Sequence, residues 1–165
     1  MGEVVDIEEL LKVREAVRRS GRRMVFTNGC FDILHRGHVE LLTRARALGD
    51  MLVVGVNSDS SMARLKGPRR PIVGQEDRAA ILAALAAVDY VIVFDEDTPA
   101  TVIARLRPDV LVKGTDYRME DIVGKAEVEE VGGRVVRIPL YGNLSTEGML
   151  REIARRYADL SHDGA

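Results

Sequence analysis

From Met24 to Tyr157, short apolar runs alternate with amphipathic segments, an order that few architectures accept. The runs at 23–27, 51–57, 90–94, 110–113 and 134–139 carry apolar residues on both faces and predict strands. Between and after them, 38–48, 75–87, 99–106, 124–131 and 145–157 repeat apolar residues at helical spacing. Strands that are apolar on both sides need cover on both sides. The expected fold is therefore α/β, a Rossmann-like doubly wound parallel sheet of about five strands with helices on both faces. Ahead of it, Ile7, Leu10, Leu11 and Val17 mark a leading helix within 1–22, which Ser20-Gly21 stops. The core is expected over 23–158 and a tail over 159–165, all in one domain, the size 165 residues support.

Ligands on such sheets sit beyond the carboxyl ends of the strands, and this sorts the polar residues. His35 and His38 follow the first strand, Asn57-Ser58-Asp59 the second, Asp95-Glu96-Asp97 the third and Gly114-Thr115-Asp116 the fourth. The stretch from Thr27 to His38 joins a buried strand to a helix start, where unpaired N–H groups and the helix dipole favour an anion. Gly29 and Gly37 allow tight turns and close approach of backbone to ligand. Each imidazole can donate an N–H to a phosphate oxygen, more strongly if protonated.

Composition narrows the partners. A net charge of -2 gives no global basic field for a nucleic-acid polymer, so a small substrate is expected. No apolar run is long enough to span a bilayer, and the opening residues lack the layout of a secretory signal, so a cytoplasmic location is expected. The single cysteine, Cys30, excludes an intrachain disulfide and reads as a packing residue rather than a nucleophile. No dedicated metal cluster is present, and the histidine pair lacks the companion ligands of a zinc site.

Thr27-Asn28-Gly29-Cys30-Phe31-Asp32 followed by His35-Arg36-Gly37-His38 resembles the nucleotidylyltransferase superfamily. Val56-Asn57-Ser58-Asp59, Leu65-Lys66-Gly67-Pro68, Asp77-Arg78-Ala79-Ala80, Val88-Asp89-Tyr90-Val91 and Lys113-Gly114 follow in order. The series is similar to the adenylyltransferase domains of bacterial ADP-heptose synthases over nearly all of 7–157. In many bacteria that domain is fused behind a sugar kinase, for which this chain has no room, so a free-standing adenylyltransferase is expected. The resemblance implies transfer of AMP from ATP to D-glycero-β-D-manno-heptose 1-phosphate by direct in-line displacement, with Mg²⁺ arriving on ATP. The attacking phosphate is already an anion, so catalysis should be positioning plus cationic and N–H donors.

Roles follow from the same resemblance. His35, His38 and Lys66 are the catalytic candidates, with Lys66 on a mobile loop that is otherwise simply a solvated basic run. Thr27, Asn28, Gly29, Phe31, Gly37, Lys113, Gly114, Asp116, Ser145 and Thr146 are assigned to the nucleotide and its phosphates. Arg78 joins them because a cation near a helix start is misplaced for the dipole; a carboxylate such as Glu76 is its plain alternative. Asp32, Asn57, Asp59 and Arg70 are assigned to the acceptor, expected to be a sugar 1-phosphate. Asp32 and Asp116 read equally as turn or cap residues, and Ser145 as an N-cap. Related sequences carry a third hydroxyl residue after Ser145-Thr146, where this chain has Glu147, and a glycine where it has Asn143. A carboxylate beside a triphosphate is repulsive unless it turns outward or meets magnesium or an arginine. Two other readings stay open: another pair, such as CTP with glycerol 3-phosphate or ATP with FMN, and a non-catalytic nucleotide-binding module. A homodimer is compatible with the sequence and not demanded by it.

Overall fold

The computed structural model describes residues 1–142 and 144–158; Asn143 and the expected tail at 159–165 lie outside the described residues. Six parallel strands form one sheet: β1 (Glu3–Val4), β2 (Met24–Gly29), β3 (Met51–Asn57), β4 (Tyr90–Phe94), β5 (Val110–Gly114) and β6 (Arg134–Ile138), in the order β1-β4-β3-β2-β5-β6. Thr27 lies beside Val54 of β3 on one side and Val112 of β5 on the other. After β2 the chain moves outward through β3 and β4, then returns across β2 to place β5. That reversal opens a crevice at the carboxyl ends of β2 and β5.

Alternation along β2 explains the two layers of helices. Met24 and Phe26 face α1 (Ile7–Arg19), α5 (Ala100–Leu106) and α6 (Lys125–Glu130), packing with Leu10, Val17, Ile103, Leu106 and Val128. Val25 points the other way, into a second core with Leu42 and Ala45 of α2 (Arg36–Arg46) and Ala79 and Leu82 of α4 (Gln75–Ala83). Each of these side chains larger than alanine contributes on the order of 1.5–3 kcal/mol on burial. A Cβ on Gly55 of β3 would lie 2.8 Å from Phe26 Cζ and 3.2 Å from Asn28 Cβ, so a glycine is needed for both to keep their places. At the opposite end of the sheet, buried Arg14 of α1 donates to both Asp109 carboxylate oxygens (2.7 and 2.9 Å) and to the carbonyls of Leu106 and Arg107. Asp109 also accepts from Met24 N, so one carboxylate ties α1, β2 and β5 together.

The fold class is as expected, with three differences. The sheet has six strands rather than about five, because Glu3 and Val4 pair with Tyr90 and Val91; a two-residue strand carries no periodicity to detect. Residues 59–66, where no helix is expected from the sequence, form α3 (Asp59–Lys66), started by Ser58 Oγ accepting from Ser61 N at 3.0 Å. Its Asp- and Ser-rich first turn imitates a turn composition. Several helices are shorter than their apolar patterns: α4 ends at Ala83 rather than 87, and α7 covers Thr146–Arg156.

Candidate active site

Beyond Gly29 the chain turns sharply. Phe31 takes φ +48°, a left-handed conformation that costs a bulky residue about 1–2 kcal/mol, and its buried ring lies edge-on to His38 at 5.2 Å. His35 precedes α2 in extended conformation, and its carbonyl accepts from His38 N at 2.9 Å. The two imidazoles stack, centroids 3.8 Å apart and planes 22° from parallel. A Cβ on Gly37 would come within 3.0 Å of the His35 ring, so this glycine makes room for the stack. Both Nδ1 atoms are buried without a hydrogen-bond partner among the described residues. Burial lowers the pKa of both rings, and the neighbouring His35 adds to the effect on His38, which falls to about 4. Both are therefore neutral at pH 7, so each donates through one N–H and not as an imidazolium.

The pair borders a cavity of about 590 Å³ over the crevice between β2 and β5. Every strand end from β2 to β6 supplies part of its wall, together with Lys66 from the end of α3, Arg70 from the α3–α4 loop, and Ser145, Thr146 and Glu147 at the start of α7. Lys113, at the end of β5, is 6% exposed; its ammonium donates to Asn28 Oδ1 and lies 5.1 Å from the Tyr117 ring. Desolvation lowers its pKa to about 8, opposed by the charge of Asp116 and, once it ionises, of Cys30. Ser145 caps α7 by accepting from Gly148 N at 3.0 Å, and Thr146 Oγ1 lies 3.4 Å from the carbonyl of Ile33.

Of the residues singled out from sequence, Asn28, Gly29, Phe31, Asp32, His35, Gly37, His38, Asn57, Lys66, Arg70, Lys113, Asp116, Ser145 and Thr146 line this cavity. Four do not. Thr27 is buried and spends its hydroxyl on the Val112 carbonyl (3.0 Å), joining β2 to β5. Arg78, expected to meet phosphate, is fully buried: it donates to the carbonyls of Val73 (2.8 Å), Cys30 (2.7 Å) and Asn57 (2.8 Å) and to Asp59 (2.7 Å). No donor edge is turned to the cavity, and its carboxylate partner is Asp59 rather than Glu76. Asp59, partly exposed, is correspondingly engaged by Arg78 and does not line the cavity. Gly114 lies behind Asp116, whose carboxylate occupies the space a Cβ there would fill.

Two placements change the reading of the acceptor side. Asp32 is 3% exposed, and its carboxylate accepts from Arg70 Nε (2.6 Å), Ile72 N (2.8 Å) and Val73 N (2.9 Å). It holds the loop that carries Arg70 and has little acceptor capacity left for a ligand. Lys66 is the last residue of a helix, not part of a loose loop. Glu147 lies 3.8 Å from Arg70 and 3.3 Å from Arg151, so an arginine from another loop meets the carboxylate that sequence alone leaves facing phosphate. Asp97, Thr98 and Pro99 after β4 and Tyr141 after β6 also line the cavity, the last with Arg36 4.4 Å over its ring. The strand-end rule carried to β6 would have found Tyr141.

Burial raises the Cys30 thiol pKa and keeps it protonated at pH 7. Among the described residues no group of three or more His, Cys, Asp or Glu is gathered to hold a metal ion, and no helix is long and apolar enough to cross a membrane.

Residues 26–146, which contain nearly all of this site, match the cytidylyltransferase-like family model. The chain is 57% identical over 150 residues to the bifunctional protein HldE of Syntrophotalea carbinolica, covering 91% of this chain and 31% of that one. With HldE of Geobacter sulfurreducens it shares 51% over 156 residues, covering 94% and 32%. It thus spans about a third of the length of the curated relatives it matches. Among solved structures, the lipopolysaccharide core biosynthesis protein of Thermoplasma volcanium is 33% identical with a TM-score of 0.64, covering 74% of this chain and all of that one. The pantoate-beta-alanine ligase of Francisella tularensis, at 18% identity and TM-score 0.68, covers 99% of this chain and 80% of its own and shares the fold alone. With the stacked histidines at a helix start and the cavity they border inside the matched span, the chain belongs to the cytidylyltransferase-like family and is a nucleotidyltransferase.

Proposed function

We propose that this chain transfers AMP from ATP to D-glycero-β-D-manno-heptose 1-phosphate, giving ADP-heptose and pyrophosphate in the cytoplasm. The observation that carries the reading is the convergence of the His35–His38 stack, Lys66, Arg70 and Lys113 on one cavity. The heptose acceptor rests on the likeness to HldE proteins and to the adenylyltransferase domains of ADP-heptose synthases.

A phosphate oxygen of the acceptor attacks the α-phosphorus and forms the new P–O bond. The bond from that phosphorus to the bridging oxygen of the β-phosphate breaks, and its electron pair leaves with pyrophosphate. The nucleophile arrives ionised, so no residue has to remove its proton. With Nδ1 buried and bare, the N–H of each histidine is on Nε2 and donates to the α- and β-phosphate oxygens. Lys66 and Arg70 hold the acceptor phosphate in line, Arg70 being set by Asp32. Ser145, Thr146 and the start of α7 meet the β- and γ-phosphates, while Asn28, Lys113 and Asp116 lie along the nucleoside. Mg²⁺ is part of the substrate, MgATP, and keeps most of its waters, which needs no protein cage.

The test is pyrophosphate release from MgATP or MgCTP offered with heptose 1-phosphate, glycerol 3-phosphate or FMN. Release with ATP and heptose 1-phosphate alone supports the reading. Release with another pair keeps the chemistry and discards the substrate. Binding of ATP without release under any pair would point to a nucleotide-binding module.

A further inference from the structure

We propose that Lys113 is a positioning residue whose ammonium locks the side-chain amide of Asn28 so that Nδ2 is presented to the nucleotide. This rests on the nucleotide reading of the cavity given above. An ammonium can only donate, so the atom of Asn28 that faces it is the carbonyl oxygen, and Nδ2 is directed away. That Nδ2 is neither bonded to protein among the described residues nor buried, and Asn28 lines the cavity, so its donor edge opens into the ligand space. Gly55 beneath Asn28 and the pairing of β2 with β3 fix its backbone, leaving Lys113 to fix the rotation of the amide.

Lys113 itself is an unusual thing to bury. It is 94% removed from solvent, makes one side-chain hydrogen bond, to a neutral group, and has no carboxylate within bonding distance among the described residues. The charged and titratable groups that face it are Asp116 and Tyr117 from the loop after β5 and Cys30 from the loop after β2. Since its pKa lies at about 8 while burial raises those of Cys30 and Tyr117 above their ordinary values, loss of the lock falls in a pH range where it is the first group to change.

The experiment needs no acceptor substrate. The Asn28 side-chain amide is followed by NMR in the ligand-free protein from pH 6.5 to 9.5, alongside calorimetric MgATP binding. The proposal expects the Asn28 signals to titrate near pH 8. It expects the MgATP Kd to rise toward tenfold per pH unit above that point, and both changes to vanish in Lys113→Arg, whose guanidinium stays charged. Lys113→Met and Asn28→Ala should each weaken binding at pH 7, and the double variant should be no weaker than Asn28→Ala, because Lys113 acts through Asn28. Unfolding curves on the same samples establish that the variants are folded. An Asn28 amide that ignores pH, or costs that multiply in the double variant, would overturn the proposal. Titration of Asn28 in a wild-type protein that binds no MgATP would overturn the nucleotide reading instead.

Discussion

Replacing Lys113 by methionine should make the protein more stable while it damages the site. Lys113 loses its proton at about 8 in the fold against 10.5 for an ordinary lysine, a difference of 2.5. At about 1.4 kcal/mol per unit, holding the charged amine inside costs the native state roughly 3 kcal/mol. Methionine has similar length and no charge to desolvate; it forfeits the hydrogen bond to Asn28, about 1 kcal/mol, since the amide can turn to water in the cavity. The net expectation is a gain of about 2 kcal/mol at pH 7, or roughly 4–8 °C in Tm for a chain of this size. The pH dependence fixes the cause. The penalty is full below pH 8 and fades between 8 and 10.5, where the unfolded chain holds the proton and the folded one has released it. Urea unfolding followed by circular dichroism at pH 7, 8, 9 and 10 should show the variant's advantage shrinking across that window. A variant less stable than wild type at pH 7, or an advantage unchanged by pH, would refute the reasoning.

The buried neutral histidines make the opposite demand at acid pH. His38 titrates at about 4 in the fold against 6.5 unfolded, so stability should fall by about 2–3 kcal/mol as pH drops from 6.5 to 4, and His38→Asn should flatten that slope in urea titrations. Arg14→Met leaves Asp109 without its bidentate partner and frees α1 from the carbonyls of Leu106 and Arg107, for an expected loss of about 3 kcal/mol read by denaturant unfolding, with the α2 histidine stack untouched. With ATP bearing sulfur at a non-bridging α-oxygen, direct displacement should invert configuration at phosphorus, as read by ³¹P NMR of the product; retention would demand a nucleotidylated enzyme.

Much of the site was legible because it obeys a topological rule. Once apolar runs are taken as parallel strands, polar residues at their carboxyl ends must share a rim, and His35, Asn57, Asp97 and Asp116 do. What escaped depends on contacts between distant segments. Arg78 looked misplaced at a helix start, and that oddity was real. Its partners, however, are the carbonyls of Val73, Asn57 and Cys30, 5, 21 and 48 residues away, a set that no spacing reveals. Asp32 bonds backbone, as its turn reading allowed, but in a segment 40 residues on. The conflict posed by Glu147 is met by Arg70, a residue of another loop. Strand β1 is too short to show a pattern, and α3 opens with residues that favour turns as readily as helix starts.

The central claim is that the two stacked histidines stabilise the departing pyrophosphate while an anionic acceptor displaces it. It is tested by following pyrophosphate and ADP-heptose together in wild type, His35→Ala and His38→Ala, at pH 7 with saturating MgATP and heptose 1-phosphate. The account expects the two products in equal amounts from wild type, and kcat lower by about 10²–10³ in each variant whose unfolding curve shows it folded, the loss that removal of one preorganised donor produces. Turnover within a few-fold of wild type in both folded variants would contradict it.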